Sequence, residues 1–126
     1  MNIKLKDTTY ELDLGIGFAL ALDSKYKFKQ NVMNDLDAEF GLGVQILYGQ
    51  LSAVSIQAIV EFFKAGLTDV KTKSYSDKDL NKAIQELAVE AGGFASLAQE
   101  CVEALQNVGL YNHIFEAVVQ TIPNEE

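Results

Sequence analysis

A mainly α-helical fold, a small bundle of about five to six helices with a short N-terminal β-hairpin, is predicted by three observations. Apolar residues recur at three- and four-residue spacing through most of the chain. Alternation of apolar and charged residues marks the first dozen positions. Glycines, polar capping residues and a single proline at position 123 punctuate the helical stretches. A length of 126 residues suits one domain spanning 1–126.

The hairpin is read over residues 1–13. Ile3-Lys-Leu-Lys and Tyr10-Glu-Leu-Asp flank Asp7-Thr-Thr, which places Ile3, Leu5, Tyr10 and Leu12 on the inward face. A lone hairpin is marginal in water, so it must rest on helices. Residues 14–67 are read as the N-terminal helices. Leu14, Ile16, Phe18, Leu20 and Leu22 alternate as in a strand, but Leu14, Phe18 and Leu22 also keep helical spacing and Ala19 and Ala21 favour helix. A helix from about 14 to 28, capped by Asp13, is the expectation. A second runs from Met33 to Tyr48, kinked near Gly41 and Gly43, and a third from Ser52 to Lys64, stopped by Gly66.

Thr68 to Tyr75 reads as a polar loop. Residues 76–123 are read as C-terminal acidic helices. Ser76-Asp-Lys-Asp79 resembles a capping box ahead of Leu80, Ala83, Ile84, Leu87, Ala88 and Ala91, and Gly92-Gly93 closes that helix. Phe94, Leu97, Ala98, Cys101, Val102 and Leu105 form the next apolar stripe, up to Gly109. Leu110, Tyr111, Ile114, Phe115, Val118, Val119 and Ile122 form the last, before Pro123.

Composition narrows the function classes. The chain is 48% hydrophobic with a mean hydropathy of +0.05, which argues for a real core. Its net charge is −8, with no arginine, so a nucleic-acid role is not expected. All 10 lysines lie in residues 1–82 with 11 acids, while residues 83–126 hold 7 acids and no base. An acidic C-terminal surface of this kind stays solvated or meets a basic or helical protein partner. No leader-like or membrane-spanning apolar run appears, which makes a cytoplasmic, membrane-free location the expectation.

No catalytic, cofactor or metal site is expected. Gly15-Ile-Gly17 and Gly41-Leu-Gly43 lack the third glycine of a dinucleotide loop and the Gly-Lys-Ser/Thr of a phosphate loop, so they read as glycines that loosen chain entry into helices or let backbones approach. Asp35-Leu-Asp37-Ala-Glu39 alternates oxygens like a calcium loop, but Phe40 and Ile46 stand where glycine and glutamate are needed. Asp23-Ser24-Lys25 is not the Asp-Ser-Leu of an acyl carrier. Cys101 with His113 could be imagined as a catalytic pair, yet Cys101 sits on an apolar stripe. An uncharacterised small enzyme using either residue is one rival reading.

What stands out is surplus apolar surface. Ten large apolar residues fall between Leu47 and Leu67. They are either buried between two layers of the domain or line a groove for a partner's amphipathic helix, or for self-association. The partner-contact expectation falls on Leu47, Tyr48, Leu51, Ile59 and Phe63, with Tyr111 and Phe115 second.

The hairpin Ile3-Lys-Leu-Lys … Tyr10-Glu-Leu, followed by Gly15-Ile-Gly17-Phe18 and Leu22-Asp23, resembles the opening of tail assembly chaperones of long-tailed, siphovirus-type bacteriophages of Gram-positive hosts. Gly41-Leu-Gly43-Val44 running into Leu47-Tyr48-Gly49-Gln50-Leu51 is similar too, as is the polar loop before acidic helices. The resemblance implies a protein of the infected host's cytoplasm that is absent from the mature virion. It would bind the long, apolar tape measure protein and keep it soluble until the tail tube polymerises around it. It also implies that a ribosomal frameshift can add a C-terminal extension recruiting the tail tube protein, this chain being the unextended form. The other rival is a structural head–tail or tail-completion protein retained in the virion.

Overall fold

The computed structural model describes residues 1–26 and 42–115. The hairpin forms as expected: β1 (Asn2–Leu5) and β2 (Thr8–Glu11) pair antiparallel with Ile3 opposite Tyr10 and Leu5 opposite Thr8. Ile3 and Leu5 are buried and Tyr10 is half-buried. Beyond β2, the Leu12 amide donates to the Met1 carbonyl at 2.9 Å, which extends the ladder, and Leu12 is buried. Ladder hydrogen bonds alone would not hold so short a ribbon. It is fastened to the helices by its inward side chains and by the Tyr10 hydroxyl, which accepts from the Lys73 amide at 3.0 Å.

Among the described residues five helices follow: α1 (Ile16–Lys25), α2 (Leu42–Ser52), α3 (Ile56–Gly66), α4 (Asp77–Ala91) and α5 (Phe94–Val108). A further helical turn begins at residues 112–115. The sequence-predicted second helix before residue 42, the end of the first beyond Tyr26, the Asp35–Glu39 segment and the last stripe past Phe115 lie outside the described residues.

Helix α1 begins two residues later than the pattern suggested. Asp13 does not cap it in the expected way; its carboxylate accepts from the Gly15 amide at 3.0 Å, in the turn before the helix. Helix α2 runs without a break through Gly43 and Gly49, while Gly41, where the sequence suggested a break or kink, lies outside the described residues. Gly43 is instead a contact. A Cβ at this position would meet the Leu22 carbonyl carbon and lie 2.5 Å from Asp23 N and 2.7 Å from Leu22 O. Its amide donates to Asp23 Oδ1 at 2.8 Å. The backbones of α1 and α2 therefore touch, and only a residue without a side chain permits it.

The boundary between α2 and α3 corrects the expectation of a helix from Ser52. The Ser52 hydroxyl donates to the Tyr48 carbonyl at 2.9 Å, one turn back, and so stays within α2. Ser55 is the cap, its Oγ accepting from the Ala58 amide at 3.1 Å, a contact contributing about 1 kcal/mol. Between them Val54 takes φ 60°, an uncommon conformation for a β-branched residue. Gly66 does not stop α3 but belongs to it. Its carbonyl accepts from the Asp13 amide at 2.9 Å, and a Cβ there would press on Leu12 at 3.2 Å.

The C-terminal pair follows the sequence closely. Ser76 and Asp79 form a reciprocal capping box, at 3.1 Å and 2.9 Å. The Ser76 amide holds the Asp79 carboxyl below its ordinary range. Gly92 and Gly93, with φ of 102° and 128°, turn the chain from α4 into α5.

The core is one continuous cluster drawn from both strands and all five helices. Phe62 lies at its aromatic centre, edge-on to Phe18 at 5.7 Å and to Phe63 at 5.2 Å. Helix α2 contacts α1, α3 and α5, whereas α4 packs on α5 and on β1.

Candidate partner-binding surface

The residues expected to meet a partner are mostly interior. Leu47, Leu51, Ile59 and Phe63 are at most 1% exposed and fill the space between α1, α2, α3 and α5. Tyr111 is also buried. Tyr48 and Phe115 are half-buried and meet edge-on at 4.9 Å. Of the seven, Leu47, Leu51, Ile59, Phe63 and Tyr111 pack in the core of the folded domain, and only Tyr48 and Phe115 keep partial exposure.

Sequence reasoning missed the apolar residues that do face outward. The first two turns of α1, Ile16 to Leu22, carry no polar side chain to turn to water. Phe18 and Leu22 point inward, leaving Ile16 and Leu20, one turn apart, at 75% and 54% exposure. The apolar alternation from Leu14 to Leu22 was the signal: in a helix, it puts greasy residues on every side. Val108 and Leu110, at the exit of α5, are exposed too.

Ile16 and Leu110 adjoin, in sequence, the residues of one junction. The Tyr111 hydroxyl donates to the Leu14 carbonyl at 2.8 Å, with the Gly15 carbonyl at 3.1 Å. That buried contact clamps the exit of α5 against the start of α1, so Leu110 and Ile16 flank the two sides of the clasp. Burial, reinforced by Asp13 and Asp23, pushes the Tyr111 phenol up to about 12, so it remains a neutral donor throughout the ordinary pH range. Beside the junction runs a groove of about 370 Å³ between β2, the segment leading into α1, and α5. Its lining includes Leu12, Leu14, Ala104 and Val108, with Glu11, Glu100 and Glu103 around it.

The other candidate groups are placed as follows. Cys101 is buried on the inner face of α5, and desolvation, with Glu100 adding to it, pushes its thiol up to about 12. A thiol held neutral in this way is a poor nucleophile. His113 is exposed beyond α5, in the following helical turn. Among the described residues no group of three or more His, Cys, Asp or Glu side chains is placed to hold a metal ion. No described helix is long and apolar enough to cross a membrane.

A family model described as phage tail assembly chaperone protein, TAC, matches residues 2–120. The chain belongs to that family. No curated protein and no solved structure matches it. For a tail assembly chaperone, surface-exposed apolar side chains on a rigid helical frame are the feature to account for, since such patches mark interaction sites. In this chaperone the described residues that fit that description include Ile16 and Leu20 on α1.

Proposed function

We propose that this tail assembly chaperone binds the tape measure protein in the host cytoplasm and keeps it soluble until the tail tube polymerises around it. The phage is of the long-tailed, siphovirus type with a Gram-positive host, and the chaperone is absent from the mature virion. The observation carrying the reading is the outward pair Ile16 and Leu20, at 75% and 54% exposure on the apolar first two turns of α1, in a chain of this family. Apolar client segments gain by covering that pair, while a net charge of −8 disperses the complex. Release requires no nucleotide, because tube subunits competing for the same client shift the equilibrium by mass action. A C-terminally extended form, made by frameshifting, would bring the tail tube protein to the same complex.

The test is co-expression with the tape measure protein. The wild-type chain should move the client into the soluble fraction, and Ile16→Ser/Leu20→Ser should leave it insoluble while keeping its own circular dichroism spectrum. If the client stays insoluble with the wild-type chain, the holdase reading fails. Mass spectrometry of purified virions adds a second check. Stoichiometric retention of the chain in the particle would favour a structural head–tail or tail-completion role instead.

A further inference from the structure

We propose that the groove along α5 seats an amphipathic helical segment whose apolar stripe is flanked by lysine or arginine. The inference rests on the chaperone reading for the existence of a client and goes beyond it in naming the client's chemistry.

Two features of the groove carry it. The first is periodicity. Helix α5 contributes Glu100, Glu103, Ala104, Asn107 and Val108 to the lining, at i, i+3, i+4, i+7 and i+8. These residues form a single stripe about 12 Å long, the geometry against which a second helix lies. Leu12 and Leu14 form an apolar wall across from it, and Val108 at its end is 39% exposed.

The second feature is charge. Glu11, Glu100 and Glu103 are exposed and none is in an ion pair with a described lysine; Glu103 accepts only from the Gln99 side chain, at 3.3 Å. No lysine is among the lining residues. Lysines cluster elsewhere: Lys4, Lys6 and Lys82 line a separate depression between the hairpin and α4. The apolar part of the lining, Leu12, Leu14, Ala104 and Val108, bordered by carboxylates in no ion pair with a described lysine, complements a helix with a greasy face and cationic shoulders. A second copy of this chain buries the apolar stripes of its lysine-bearing helices α3 and α4 in its own core and pairs the lysine of α1, Lys25, with Glu61. Its α5 has no base, and the chain has no lysine after residue 82.

The probe is a pair of synthetic helical peptides with the same leucine stripe, one flanked by lysines and one by glutamates, titrated against the full chain by fluorescence anisotropy. The lysine peptide should bind and the glutamate peptide should not. Glu100→Gln/Glu103→Gln should weaken the lysine peptide by about three- to tenfold. Glu86→Gln/Glu90→Gln, an equal change of charge on the outer face of α4, should leave it within twofold. Equal binding of both peptides, or equal loss in both variants, overturns the proposal, because the attraction would then be apolar or due to net charge alone. In co-expression, a wild-type chain that solubilises the tape measure protein alongside an equally effective Glu100→Gln/Glu103→Gln variant would sink the groove but spare the chaperone reading. A wild-type chain that fails would sink the chaperone reading itself.

Discussion

Two glycines of one helix should respond in opposite directions to the same substitution. Gly43 and Gly49 both lie within α2, where replacing glycine by alanine ordinarily gains about 1 kcal/mol from helix propensity. At Gly49 a Cβ would meet nothing within 4 Å, so Gly49→Ala should keep that gain. At Gly43 the same atom would lie 2.5 Å from Asp23 N and 2.7 Å from Leu22 O. Ordinary contact begins near 3.4 Å, so α1 and α2 must separate by close to 1 Å. Overpacking of this kind costs about 1–3 kcal/mol. Separation also stretches the 2.8 Å bond from the Gly43 amide to the Asp23 carboxylate, a charge-assisted contact worth about 1.5–3 kcal/mol when intact. With the propensity gain subtracted, Gly43→Ala should lose about 2–3 kcal/mol. Urea titrations followed by circular dichroism would read both variants. A Gly43→Ala midpoint equal to or above wild type would refute the backbone contact between α1 and α2. A loss in Gly49→Ala would show that α2 is not surrounded as described.

Three further outcomes follow from local geometry. Val54→Gly should stabilise by about 0.5–1 kcal/mol, because Val54 is 39% exposed and holds φ 60°; a lower thermal midpoint would argue that its side chain is needed. Alkaline stability should fall between pH 9 and 12. The unfolded Cys101 thiol and Tyr111 phenol ionise near 9.0 and 10.0, whereas their folded forms keep the proton to about 12, so rising pH favours the unfolded chain. Cys101→Ala should remove the part of that decline that begins near pH 9, seen as urea midpoints at pH 8 and pH 10. Finally, Phe63→Ala should cost about 3–5 kcal/mol, against less than about 0.5 for Ile16→Ser, by thermal melts. Similar costs at the two positions would contradict their placement.

The C-terminal half of the fold was legible because its signals are local. Ser76 and Asp79 are three residues apart, and Gly92 and Gly93 act on their own backbone, so short windows of sequence contain the whole cause of where α4 and α5 begin and end. The α2–α3 boundary was harder. Ser52 and Ser55 are both plausible caps, and only the hydroxyl's direction, back to Tyr48 or forward to Ala58, separates them. Gly66 was read as stopping a helix and Gly43 as either loosening one or letting backbones approach, and no short window could name the distant segments they answer to, Leu12 and Leu22–Asp23. The candidate site was the least legible. Apolar excess marks core and docking surface alike, and Phe63 and Ile16 differ only in which way α3 and α1 face within the bundle. The family resemblance, carried by the hairpin and the glycine landmarks, was recognisable in advance because it does not depend on that distinction.

Helix α1 is constrained by two separate demands. Phe18 and Leu22 answer to the interior, where a lost methylene opens a void. Ile16 and Leu20 answer only to whatever covers them, so substitutions there leave folding almost untouched. Over evolutionary time those two positions can drift with a co-evolving protein while the inward pair stays bulky and apolar. Among relatives, the side chains at the positions of 16 and 20 should therefore track changes in the companion gene, an imprint of the partner written on the outside of a helix.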